Sequence, residues 1–349
     1  MLLAEAWIHD LDPFQVEFSD GIGLRWYGLS YIAGFLVGWL LLRLLARSRR
    51  TALRPEMAGD LLLSCVVGVL VGGRLGYVAF YDPALLWSFE SSVPWWGLLA
   101  IHRGGMASHG GLIGVIVAAW LFGRRWGLAP RDVVDCLAVA APPGLGFGRL
   151  ANFINGELWG RAMPEAAQAA PPWYAVKYPE EILAAPAEVQ VRALESLGPL
   201  ASGTDPLGNA VRAVYEGNAE VAERLAPHLT AYWPSQLFQA AAEGPILLAA
   251  VLAAWFWPRR HAGTVGATFL LVYGVLRIVT EQFRQPDEGV ALLLGLTRGQ
   301  VLSVAMVVAG AVLLWRWVRR DVADATDATD ASPTPPGAAR ASDPPSRSS

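Results

Sequence analysis

Seven apolar stretches divide the chain, bounded by clusters of arginine, glycine, proline or acidic residues, and they predict seven helices of membrane-spanning length. They run over 26–46, 57–81, 107–123, 132–148, 236–257, 263–283 and 299–318. Crossing roughly 30 Å of hydrocarbon takes about 20 apolar residues in a helix. The third and fourth stretches are short and rich in glycine. The polar intervals define the remaining organisation. Residues 1–25 read as an outer-surface arm, with Trp7 and Phe14 expected at the interface. Residues 82–105 form a loop whose Trp87, Trp95 and Trp96 suit an aromatic belt. The long interval 160–232 holds Pro171, Pro172, Pro179, Pro186 and Pro199, with helical composition at 179–198 and 208–228. It is expected to be a small extracytoplasmic cap between a four-helix part (26–159) and a three-helix part (233–320) of one membrane domain. From 321 to 349 the sequence is rich in Asp, Ala, Thr, Pro and Ser and almost free of large apolar side chains, which predicts a disordered cytoplasmic tail.

Composition agrees with that pattern. Of 349 residues 54% are apolar and only 16% charged, with 15 Trp, which excludes a soluble domain of this size. The expected class is an all-α integral membrane protein. Arginines set its orientation. They follow the first stretch (Arg43, Arg47, Arg49, Arg50, Arg54), the third (Arg124, Arg125, Arg131), the fifth (Arg259, Arg260) and the seventh (Arg316, Arg319, Arg320). Basic connections face the cytoplasm, so the N-terminus, with Glu5, Asp10, Asp12, Glu17 and Asp20, is expected outside and the C-terminus inside. Cys65 and Cys136 lie inside apolar stretches and read as packing residues. No internal repeat is apparent, against transporters built from inverted halves.

That topology gathers the polar residues at the span mouths on one side of the membrane. Ionisable groups at bilayer depth are expensive and usually mark a site. Tyr273, Arg277, Glu281 and Arg284 are spaced i, i+4, i+8 and i+11 and share a helical face. Arg277 and Glu281 can offset each other's burial, and two arginines on one stripe suit a phosphate. Arg149 and Asn152 are i, i+3 in the densest polar run, Gly146 to Arg161, which also holds Glu157. Gly110 and Gly111 leave His109 little shielded, and imidazole accepts a proton near neutral pH. Arg74 and Tyr27 lie at the same outer level. Such a layout suits group transfer from an outer-leaflet phospholipid. No serine or cysteine elbow is apparent, which favours direct displacement over a covalent intermediate. No cofactor or metal is implied.

The run Gly148-Arg149-Leu150-Ala151-Asn152-Phe153-Ile154-Asn155-Gly156-Glu157-Leu158-Trp159-Gly160 closely resembles the signature of the bacterial prolipoprotein diacylglyceryl transferase family. Arg25-Trp26-Tyr27-Gly28, Gly72-Gly73-Arg74, His109-Gly110-Gly111, Pro234-Ser235-Gln236-Leu237 and Tyr273 through Asp287 resemble it in the same order. The resemblance implies an enzyme of the bacterial cytoplasmic (inner) membrane whose site faces the outer leaflet. Its donor would be phosphatidylglycerol and its acceptor the lipobox cysteine of a prolipoprotein signal peptide. The product would be a thioether, and glycerol phosphate would leave; no nucleic acid is expected. It further implies catalytic roles for His109, Arg149, Glu157 and Arg277, and substrate binding by Tyr27, Arg74, Asn152, Gly160, Tyr273, Glu281 and Arg284. Either His109 or a carboxylate such as Glu157 would take the thiol proton. Three places depart from the usual pattern: Trp233 stands where histidine is common, Gln239 where an acid is common, and Ala107-Ser108 where Ser-Phe is usual. A lipid-binding module without catalysis would need the arginines but not His109 and Glu157. A transporter would need polar residues through the full depth of the bilayer.

Overall fold

The structure is a computed structural model that describes residues 6–12, 14–19, 22–91, 93–101, 104–258, 261–285 and 298–330. Strands β1 (Trp7–Ile8), β2 (Phe14–Ser19) and β3 (Ile22–Arg25) lead into α1 (Trp26–Arg47), α2 (Ala58–Phe80), α3 (Ser108–Trp126) and α4 (Pro130–Ile154). Next come α5 (Glu165–Gln168), β4 (Val176–Lys177), α6 (Glu181–Ala184), α7 (Ala187–Leu197), α8 (Pro206–Tyr215) and α9 (Ala219–Leu225). The chain then returns to long helices: α10 (Ser235–Ala241), continuing through a π-turn at Ala242–Ile246 into α11 (Leu247–Phe256), then α12 (Thr264–Glu281) and α13 (Arg298–Asp330).

Each expected span thus finds a helix. Six of them, among the described residues, are long and apolar enough to cross a membrane by length and composition. The exception is α3, whose ends carry His109, Arg124 and Arg125. Leucine and valine side chains face outward on these helices (Leu63 is 62% exposed, Val308 55%), as lipid-facing positions do. The fold is that of an all-α integral membrane protein.

Close approach of the helices rests on small residues, as is usual in lipid. A Cβ on Gly114 would sit 1.9 Å from the Gly68 carbonyl, and one on Gly72 would sit 2.4 Å from that of Gly110. Glycine is therefore required where α2 meets α3. At the end of the bundle where the arginine-rich turns lie, Leu42, Leu61, Cys136, Leu247, Val251 and Trp255 form a fully buried core. Cys65 and Cys136 are both buried there, neither of them in a disulfide. The fully buried Asp135 accepts hydrogen bonds from the amides of Gly263 (2.7 Å) and Gly266 (2.8 Å). It satisfies otherwise orphaned donors at the start of α12, where the helix dipole favours an anion.

Several boundaries differ from expectation. α4 runs six residues past 148, because Leu150, Ala151 and Phe153 continue the helix and carry Arg149 and Asn152 on it. α13 continues to Asp330 rather than stopping near 320; alanines at 323, 325 and 328 favour helix. Residues 331–349 of the expected tail lie outside the described residues. Trp7 is not a free interfacial anchor. Its ring packs 5.5 Å from Phe153, because β1 pairs in parallel with β4 and draws the arm inward. Helices α6–α9 enclose a separate apolar core of Ile182, Leu197, Val211, Val214 and Leu225.

Candidate active site

α4, the π-turn and α12 bring five charged side chains into one chain of ion pairs. Arg149 Nε donates to Glu243 Oε2 at 2.9 Å, and its Nη2 to Oε1 at 3.4 Å. Arg277 Nη1 donates to the same Glu243 Oε1 at 3.2 Å. Arg277 Nη2 then lies 3.2 Å from Glu281, and Arg284 lies 3.5 Å from the other Glu281 oxygen. Glu243 has no exposed side-chain surface and Glu281 only 5%, whereas Arg149 keeps 19% and Arg277 and Arg284 14% each. Buried carboxylates thus anchor arginines whose outer edges stay accessible. Tyr273, one turn before Arg277, lies within interaction range of Arg149, Glu243 and Arg277.

The charge count matters. Among the described residues, the printed pairs set three guanidinium groups against two carboxylates. A phosphodiester brings one negative charge and oxygens that match guanidinium forks. Each guanidinium has five N–H donors, and Glu243 occupies only some of those on Arg149 and Arg277.

Following α4, the chain makes a tight turn. Asn155 ends the helix, Gly156 adopts φ +63° and Leu158 φ +56°. The Gly156 amide donates to the Phe153 carbonyl (3.0 Å) and the Glu157 amide to that of Asn152 (2.9 Å). Asn152 is buried, one turn along from Arg149. Glu157 is exposed, and its carbonyl accepts from Gln236 Nε2 at 2.8 Å. Its charge is felt at Tyr31 and Glu180, and Tyr27 packs edge-on against Tyr31 at 5.1 Å. Burial raises the Glu180 carboxyl above its ordinary range. Gly160 follows. A Cβ there would lie 2.0 Å from the Trp233 carbonyl and 2.9 Å from that of Phe283. Only glycine lets this strand bridge to Arg284.

Expected site residues therefore fall into three places. Arg149, Tyr273, Arg277, Glu281 and Arg284 share the ion-pair network. Asn152, Glu157 and Gly160 occupy the turn beside it, with Tyr27 near Glu157 through Tyr31. His109 and Arg74 sit at the α2–α3 corner. His109 is exposed in the first turn of α3 and, among the described residues, makes no hydrogen bond or ion pair to the network. Arg74, expected to bind substrate, has its guanidinium engaged by backbone carbonyls in this structure. It is buried, and it donates to the carbonyls of Leu98 (2.7 Å), Gly104 (2.8 Å), Gly105 (3.0 Å) and Gly97. Those oxygens would otherwise lack partners at this depth, so Arg74 holds the 97–105 loop in place.

Glu243 was missed by reading the sequence, although a signal existed. It is the one charged residue between Ser235 and Pro258, and an intramembrane ionisable group is a site candidate by default. Gln239 itself is buried. At the other variant position, Trp233 packs against Tyr174 at 5.7 Å and Phe283 at 5.2 Å.

Fold and site together define a helical membrane protein with an arginine-rich ion-pair network beside a glycine-rich turn. Comparison with known proteins makes the assignment specific. The profile described as prolipoprotein diacylglyceryl transferase matches residues 13–316. A phosphatidylglycerol--prolipoprotein diacylglyceryl transferase of Bdellovibrio bacteriovorus is 40% identical, covering 89% of this chain and 94% of the relative. Proteins of the same name from Rhodospirillum centenum (39%, 88% and 91%) and Azospirillum brasilense (37%, 90% and 97%) are similar over comparable lengths. The chain belongs to the prolipoprotein diacylglyceryl transferase family.

Proposed function

We propose that this chain transfers the diacylglyceryl group of phosphatidylglycerol to the lipobox cysteine thiol of a prolipoprotein signal peptide. The observation that supports the reading is the network of Arg149, Arg277 and Arg284 held by two buried carboxylates with guanidinium edges left accessible. It fits one phosphodiester and would neutralise the charge that grows on the leaving phosphate. In the step, the thiolate sulfur attacks the glyceryl carbon bonded to the phosphate oxygen. A C–S bond forms, the C–O bond breaks, and the electron pair leaves with glycerol phosphate. The thiol proton passes to His109 or to Glu157. Asn152 and Tyr273 flank the arginines and position the lipid headgroup. Lipid-facing helices admit the acyl chains from the bilayer.

The alternate arginine-rich turns support a topology with the C-terminus in the cytoplasm and the ion-pair network toward the outer leaflet of the bacterial inner membrane. On that topology the 160–232 region covers the site from outside.

The test is mass spectrometry of a lipobox peptide incubated with the purified protein and phosphatidylglycerol, beside an Arg149→Ala control. Wild type is expected to add a diacylglyceryl mass at the cysteine and the variant is not. A folded wild-type protein that adds nothing would defeat the reading. Comparing His109→Gln with Glu157→Gln identifies the proton acceptor, since only loss of the base should abolish turnover at saturating donor.

A further inference from the structure

The N-terminal arm meets Phe153, beside the site, with the Trp7 ring and with a polar contact from His9. His9 is fully buried, and its Nε2 lies 2.7 Å from the Phe153 carbonyl oxygen. A carbonyl only accepts, so Nε2 carries the proton and Nδ1 is bare; among the described residues the buried Nδ1 finds no hydrogen-bond partner. Burial lowers the His9 pKa, which keeps the ring neutral. The imidazole is boxed in by Trp7 (5.5 Å), Phe153 (5.6 Å, edge-on), Tyr178 (5.3 Å) and Tyr215 (6.1 Å). Beneath it lies Gly156, where a Cβ would be 3.5 Å from His9 Cε1. The backbone fixes the ring's height: the Trp7 amide donates to Ala175 (3.0 Å) and the His9 amide to Lys177 (2.9 Å).

The bonded oxygen belongs to the residue that closes the turn. Phe153 also accepts the Gly156 amide, and its neighbour Asn152 accepts the Glu157 amide. A donor aimed at Phe153 therefore bears on the orientation of both Asn152 and Glu157.

We propose that His9 is a positioning residue for the transferase, fixing the Asn152–Glu157 turn through its Nε2–H bond to Phe153. The role rests on the transferase reading above, and it extends the site to the N-terminal arm. It needs a donor at the Nε2 position, and aromatic bulk alone does not supply one.

Two substitutions separate these requirements. His9→Phe keeps an aromatic ring and loses the donor. His9→Gln loses the ring and keeps an N–H at nearly the same reach. Full-length protein in phosphatidylglycerol vesicles is assayed with a lipobox peptide. His9→Gln is expected within about twofold of wild type in kcat/KM. His9→Phe is expected to fall roughly tenfold, the scale of one lost net hydrogen bond, with kcat carrying most of the loss. A packing role predicts the reverse order, so Phe at or above Gln would overturn the proposal. Where His9→Phe does not fold, His9→Asn takes its place. Its shorter amide falls short of Phe153 and should lose activity as Phe does; retained activity would sink the idea. Amide exchange at Gly156 and Glu157 provides a readout independent of catalysis. It should accelerate in His9→Phe and not in His9→Gln, and unchanged exchange would also overturn the assignment. An inactive wild type with this exchange pattern would count against the transferase reading and leave the positioning role standing.

Discussion

Glu243 has no exposed side-chain surface, yet it touches two arginines from different helices. Its carboxylate sets where Arg149 and Arg277 can point, and that spacing decides whether both reach one phosphate. Removing one partner of a buried pair typically costs about 3–5 kcal/mol, because the remaining charge is stranded. Glu243→Ala is therefore expected to lower the thermal midpoint sharply and abolish transfer. Glu243→Gln keeps the shape, and is expected to fold while losing at least about tenfold in kcat/KM, since neutral hydrogen bonds hold guanidinium less firmly. Titrating activity against phosphatidylglycerol content would check both. At this scale much was legible in sequence. The spacing of Arg277 and Glu281 announced an ion pair, and Arg149 with Asn152 announced a shared face. Arg74 was not legible, because its partners are backbone carbonyls from a loop with no distinctive pattern. Nor was His9, whose role depends on a pairing with residues 175–177 that no local signal encodes.

Helix boundaries and helix contacts belong to the next scale. All seven long helices could be read from hydropathy. The added length of α4 could not, because Arg149 and Asn152 look like a helix exit until a buried carboxylate is seen to receive the arginine. The π-turn at Ala242–Ile246 was equally hidden. Such turns often accompany functional sites, and here one contains Glu243. The α2–α3 contact makes a sharp prediction. Gly114→Val places a branched side chain where the Gly68 carbonyl lies 1.9 Å from the Cβ. Neither backbone can yield without parting the helices, so the variant should lose more than the roughly 1–3 kcal/mol of ordinary overpacking, read as a lower thermal midpoint in detergent. Gly160→Ala tests a different element. The added methyl meets two carbonyls, so the bridge to Arg284 should open and transfer should fall, with the rest of the bundle unfolding at its usual temperature.

Orientation belongs to the molecule as a whole. The proposed topology faces the arginine-rich turns at alternate connections, and with them the C-terminus, toward the cytoplasm. A green fluorescent protein fused after Ser349 is expected to fluoresce, and alkaline phosphatase inserted in the 200–205 turn is expected to be active. The opposite pair of results would invert the topology and move the site to the inner leaflet.

One backbone ladder joins the distant parts of the outer layer. Residues 7–9 pair with 175–177, Val176 pairs with Tyr232, Tyr232 with Ala162, and Gly160 with Arg284. Chain synthesis makes the first rung's residues first and those of the last rung only after α12. The arm must therefore wait on the membrane surface while most of the protein is made, and the final rung closes only when the sixth long helix is in place. A partly synthesised or truncated chain would hold lipid-facing helices but no finished reaction centre. Activity would thus switch on late in biogenesis, when the last rung closes.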